Sequence, residues 1–351
     1  MIKMIRRYWP IFVLTLFVVS PLLLFVTSQP AMAKPIILKF AYSMPAKASV
    51  AAGWEWWGDE LEKRTGGKVK VEFYPGGTLF KINAAVDSVI KGVTDIGMIA
   101  PGVAKKRFQV LNLTTLPALG FPDTEEGNYA AGDAFMALTK FPAIQAESKG
   151  FKWLLPQMTP NYTIVSKKKK IRSPADLKGV KVGGSGQQMD YVESLGGVPV
   201  KNSPPDAYMS LQRGVIDAVF LTWSQVRIYK MAEIAQYYVD FGFMMSSIPV
   251  VMNLEKYNAL PDDIKQAMED IAPEARRACI TNMFKGLKRA RKSVNDKNRT
   301  IITPTAEENK MWEMGAEPLW NKWISDMKGR GVQNPEGVLN EWKRLRAAAF
   351  K

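Results

Sequence analysis

Of the side chains that carry acid–base and nucleophilic chemistry, this chain lacks histidine and has a single cysteine. It has no histidine, which excludes a Ser-His-Asp triad, a Cys-His pair and histidine-ligated zinc. Its one cysteine, Cys279, excludes an intrachain disulfide and a CxxC metal or redox pair. No close pair of carboxylates stands where a cleft is expected, so the chain reads as a non-enzyme that needs no cofactor and no metal. What remains is the chemistry of recognition. Gly183-Gly184-Ser185-Gly186 opens a stretch of helical spacing near Gln187. Such a turn either aims backbone N–H groups at an anion or serves as a tight turn that needs positive φ. Trp223 follows the apolar run Val219-Phe220-Leu221, as an aromatic wall or as hinge packing. Thr222, Ser246 and Ser247 offer neutral hydroxyls to a ligand, or else cap and solvate.

These groups need elements to hold them. Ile36 to Tyr42 reads as a strand, and Val50, Trp54, Trp57 and Leu61 recur at helical spacing before Gly66-Gly67. Val69, Val71 and Phe73 alternate as a second strand. Ala85, Val86, Val89 and Ile90 mark a second helix, and Asp95 to Ala100 a third strand. The order returns later: strand at 179–182, helix at 187–195, strand at 198–200, helix at 205–213, strand at 215–221. Two α/β units follow, each with parallel strands joined by helical crossovers. Ligands bind beyond the carboxyl ends of such strands and between domains. Met44, Thr78 and Pro101 follow the first three strands and are therefore candidates to line the cleft. Phe135, Leu138, Phe141 and Ile144 mark one long helix. Residues 261–296 mark another, interrupted or kinked near Pro273, and two more helices close the chain.

The first thirty-three residues read as an address. Lys3, Arg6 and Arg7 precede the apolar run from Trp9 to Phe25, and Ala31-Met32-Ala33 supplies the small residues of a cleavage site after Ala33. The competing reading is a membrane anchor, but the run is short and broken by Pro10 and Pro21. The remainder has no second span, so the mature chain is expected to be exported and not embedded in the membrane. At 351 residues with 47% hydrophobic content it has the material for two domains with a real core. The charge of +15 suits an anionic ligand, an acidic surface or simple solubility, and export argues against nucleic acid. The basic run Lys167 to Lys170 with Arg172 reads as a solvated loop or as a steering patch.

Three stretches carry a family likeness. Phe73-Tyr74-Pro75-Gly76-Gly77-Thr78-Leu79, the block Ile171 to Val182, and Tyr208 to Asp217 resemble, in order and separation, the extracytoplasmic solute-binding subunits of tripartite ATP-independent periplasmic (TRAP) transporters, DctP-like. The likeness runs over roughly residues 36–330. It implies an α/β fold of the periplasmic-binding-protein type: two lobes, a hinge, an interlobe cleft and a long helix across both. The lobes are expected at 34–158 plus about 248–285, and at 159–247 plus about 286–351. It implies capture of a small solute by lobe closure and delivery to an ion-driven TRAP permease. A membrane sensor kinase is the alternative recipient.

The likeness also implies an arginine clamp for a ligand carboxylate. Here its position is Gly183, and the neighbourhood of a second family arginine is Asn161-Tyr162-Thr163. The ligand is therefore expected to have an aromatic or apolar body, or an oxyanion held by backbone N–H groups, and not to be a simple arginine-clamped carboxylate. The expected ligand-binding residues are Met44, Thr78, Pro101, Asn161, Tyr162, Gly183, Gly184, Ser185, Thr222, Trp223 and Ser246.

Overall fold

The computed structural model describes residues 34–240, 242 and 244–351, so the expected leader at 1–33 lies outside the described residues. Two mixed sheets organise the chain. The first has the order β2-β1-β3-β10-β4: β1 is Ile36–Ala41, β2 Val69–Tyr74, β3 Ile96–Met98, β4 Phe151–Leu155 and β10 Val250–Asn253. The second has the order β11-β9-β5-β8-β6-β7: β5 is Tyr162–Ser166, β6 Lys181–Gly184, β7 Val198–Lys201, β8 Ala218–Thr222, β9 Tyr237–Val239 and β11 Thr300–Ile302.

The parallel triplets foreseen from periodicity are present. β1 pairs in parallel with β2 and β3, and β6 pairs in parallel with β7 and β8. Each triplet is completed by antiparallel strands that the local pattern did not announce. β10 returns from far along the chain to lie between β3 and β4, and β5 lies antiparallel to both β8 and β9. These are two α/β lobes.

The helices form where apolar spacing provided a buried face. α1, Ala51–Arg64, buries Trp54, Trp57 and Leu61 against the first sheet, so these tryptophans are core. α2 is Ala85–Ile90, α5 Gln187–Ser194, α6 Ala207–Gln212, α7 Trp223–Ile228 and α8 Leu254–Asn258. The single long helix foreseen through Ile144 is two, α3 at Glu125–Leu138 and α4 at Pro142–Glu147. Pro142 has no N–H to continue the ladder, and Phe141 before it is extended. α9, Asp262–Asn295, continues through Pro273 and packs on both α1 and α7, so one helix touches both lobes.

Other segments also cross between the sheets. Residues 157–162 and 244–248 run as an antiparallel ribbon: Ile248 N–H donates to Gln157 O, Thr159 N–H to Ser246 O and Tyr162 N–H to Met244 O. α10, Ala306–Gly329, starts on the second lobe, where the Tyr191 hydroxyl donates to Trp312 O at 2.6 Å. Further along it, the indoles of Trp320 and Trp323 donate to Pro117 O and Gln109 O. α11, Pro335–Ala349, packs on α3, and its Trp342 donates to Leu119 O. We propose that the lobe boundary lies at these crossings.

Candidate functional site

A cavity of about 250 Å³ opens where the carboxyl ends of β3 and β6 face each other, resting on the crossing ribbon. The first lobe contributes the turn after β3, with Ala100, Gly102, Val103 and Lys105. The second contributes Ser185 to Gln188, and the ribbon contributes Met244, Ser246 and Ser247. Tyr162 lines it as well. The register explains why: Tyr162 begins β5 opposite Thr222, the last residue of antiparallel β8, so it lies at the carboxyl end of the parallel strands. A larger groove of about 470 Å³ adjoins it and shares Lys105 and Gln187, but its walls are helix surfaces bearing Asp190, Glu193, Lys322, Asp326 and Arg330. Strand-end position favours the smaller space as the binding site.

Polar groups in the cavity are organised. The hydroxyls of Tyr162 and Ser246 are 3.2 Å apart, and Ser247 Oγ is 3.2 Å from Thr114 Oγ1. Ser246 N–H donates to Thr159 Oγ1 at 2.9 Å, which fixes the ribbon beneath the pair. Burial pushes the Tyr162 phenol up, opposed by its bond to Ser246, so it stays a neutral donor. The Gln188 side chain accepts from Ser185 N–H at 3.1 Å and shapes the turn into α5.

Of the expected site residues, the cavity brings together Tyr162, Ser185 and Ser246. Pro101 is buried between two lining residues, Ala100 and Gly102. Four others do not line the cavity. Gly183 and Gly184 are buried at the end of β6 and precede the turn. A Cβ on Gly183 would lie 2.9 Å from Ile216 Cδ1 and 3.1 Å from Asn202 Cβ, so a side chain at the place of the family arginine requires these neighbours to shift. The turn proper is Ser185-Gly186, with Gly186 at φ +60°. Thr222 caps α7 in a reciprocal box with Gln225. Trp223 is 1% exposed, stacks on Tyr238 and donates to Asp240, which puts it in the core behind β8. α7 turns its first residue away from the cleft because the capping box fixes the direction of the helix start.

Asn161 fastens a crossing: its Nδ2 donates to Phe121 O at 2.8 Å, and its N–H donates to Asp123. Met44 and Thr78 stand at the ends of β1 and β2, where Met44 O accepts from Gly76 and the Thr78 hydroxyl donates to Pro75 O; neither lines the cavity. Sequence reasoning missed Lys105, Thr115, Gln188 and Met244. For Lys105 a signal existed, since it follows β3 by the same strand-end rule that singled out Pro101.

With this geometry in view, the comparisons with known proteins are decisive. The model of the family "Bacterial extracellular solute-binding protein, family 7", DctP, matches residues 40–326. The chain belongs to this family. It is 26% identical over 308 residues to the C4-dicarboxylate-binding periplasmic protein DctP of Rhodobacter capsulatus, covering 83% of this chain and 87% of that one. A TRAP periplasmic solute-binding protein from Desulfovibrio salexigens superposes with a TM-score of 0.80 at 29% identity, covering 90% of this chain and 96% of that one. It is an open complex with the C-terminus of a symmetry mate in its ligand-binding site. A TRAP solute-binding protein from Rhodoferax ferrireducens, in complex with copurified benzoate, superposes at 0.77 with 25% identity, covering 90% and 98%. The family 7 protein described here is thus a TRAP solute-binding protein for small solutes, and its relatives are binding proteins, not enzymes. No helix among the described residues is long and apolar enough to cross a membrane.

Proposed function

We propose that this protein captures a small aromatic monocarboxylic acid by closing its two lobes, and hands it to a TRAP membrane permease from the periplasm. The observation that carries the reading is the cavity at the strand ends, where the Tyr162–Ser246 hydroxyl pair adjoins Met244, Ala100 and Val103. An aromatic body fits against the tyrosine and the apolar side chains, and the hydroxyls orient a polar edge. The space of about 250 Å³ is below the roughly 300–1,000 Å³ of sites for larger ligands, which favours a small solute. The benzoate bound by the Rhodoferax protein supports the same class. A dicarboxylate asks for two cationic partners, and position 183 holds a glycine in place of the family's arginine. The ligand contacts both lobes only when they approach, so it shifts the population toward the closed form. The segment 1–33, with cleavage after Ala33, fits export to the periplasm.

The test is to denature protein purified from its native host and identify the released compound by mass spectrometry, followed by thermal unfolding with benzoate, benzamide and succinate. Benzoate at a hundredfold excess over its Kd is expected to stabilise by roughly 2.7 kcal/mol. A released sugar or dicarboxylate, with no response to benzoate, overturns the reading.

A further inference from the structure

Lys105 is the cation that the sequence reading left out. It follows β3 in the turn where Val103 and Ala104 N–H both donate to Ala100 O, a fold that directs the next residue across the cleft. It lines both the cavity and the outer groove, so it stands at the mouth between them. A Cβ built on Gly186 of the opposite lobe would lie 3.6 Å from Lys105 Cε and 3.9 Å from Nζ. The ammonium of the first lobe therefore reaches the turn of the second. Among the described residues no carboxylate forms an ion pair with it, whereas Arg172, Arg276 and Arg291 are all committed to acids.

We propose that Lys105 recognises the carboxylate of the bound acid, taking the charge-pairing role of the arginine that is absent at Gly183. This rests on the reading that the ligand is a small acid. Its ammonium is a compact point charge on a flexible stem, without the two-pronged geometry of a guanidinium, so it selects for charge more than for the angle of the carboxylate plane. Because it belongs to the first lobe and meets the ligand at the second, ligand charge itself contributes to closure.

The experiment compares wild type, Lys105→Met and Lys105→Arg by calorimetry and thermal unfolding with benzoate, its neutral isostere benzamide, and the non-aromatic acids pyruvate and succinate. Wild type is expected to bind benzoate and to bind benzamide at least tenfold more weakly. Lys105→Met is expected to weaken benzoate at least tenfold and to erase the preference over benzamide, while Lys105→Arg retains most of both. Lys105 is exposed, so unliganded melting is expected to move by no more than about 2 °C. Benzoate binding by Lys105→Met at wild-type strength overturns the proposal and leaves the aromatic-acid reading standing. Binding of pyruvate or succinate but not benzoate by wild type, lost in Lys105→Met, overturns the aromatic reading and upholds Lys105. Failure of wild type to bind any of the acids overturns both.

Discussion

The indole N–H of Trp223 donates to Asp240 Oδ1 at 3.1 Å. The ring stacks on Tyr238 with centroids 5.8 Å apart and planes 21° from parallel, and the Arg291 guanidinium covers it at 5.3 Å. Trp223 thereby ties α7, β9 and the long helix α9 together behind the second sheet. Trp223→Ala removes a fully buried ring and is expected to cost about 3–5 kcal/mol of unfolding free energy, read from urea denaturation. A variant that unfolds at the wild-type midpoint but no longer binds benzoate would return Trp223 to the ligand site.

Arg291 also holds Asp123 and Asp240 together, at 3.1 and 2.5 Å. The guanidinium shared between the two carboxylates does not fully compensate the burial of Asp123. Burial is the larger effect on Asp123 and, with Asp240 adding to it against the Asn161 N–H and Arg291, pushes its pKa from 3.8 up to about 6. The folded state therefore binds a proton more tightly than the unfolded state. The associated stability is full below the unfolded value and is lost as pH rises through about 6. Its size is on the order of 3 kcal/mol. Asp123→Asn cannot titrate, so its stability relative to wild type is expected to rise between about pH 4 and pH 7. A difference that stays flat across that range, measured by denaturation at each pH, would refute the assignment.

Tyr162→Phe deletes the hydroxyl that faces Ser246 and the cavity. Benzoate affinity is expected to fall roughly 2- to 12-fold, the worth of one neutral hydrogen bond of about 0.5–1.5 kcal/mol. The ring stays in place, so melting of the unliganded protein is expected to change little. Calorimetry showing unchanged affinity would remove the hydroxyl pair from the site.

Gly183 tests whether the family's arginine can be restored. With Ile216 Cδ1 at 2.9 Å from the place of a Cβ, Gly183→Ala and Gly183→Arg are both expected to destabilise. The smaller change should cost about 1–3 kcal/mol by overpacking. A Gly183→Arg variant of wild-type stability with tightened succinate binding would mean that Ile216 and Asn202 move aside easily.

Much of the molecule was legible before any fold was seen. Hydrophobic spacing marked α1 through Trp54, Trp57 and Leu61, and the two parallel triplets, because a helix or strand buries one periodic face. The break at Pro142 was available in the residue itself but was overridden by an apolar spacing that ran on to Ile144. β10 was not legible as the partner of β3 and β4, since Val250–Asn253 is a short apolar run whose neighbours lie about 100 to 150 residues away in the chain.

The chain by itself excluded histidine-based mechanisms and cysteine pairs, because histidine is absent and cysteine single. It also determined the two parallel strand–helix triplets, which depend on local periodicity, and with them the strand ends at which a ligand was expected. Only the tertiary structure decided which side chains at those ends face the cleft. Tyr162 faces it because antiparallel pairing sets it opposite Thr222, and Trp223 does not because the Thr222–Gln225 box turns α7 into the core. Lys105 meets Gly186 only because two lobes far apart in the chain are brought together. Such relations depend on register, capping direction and the crossing of lobes, which are properties of distant residues in contact and leave no period in the sequence.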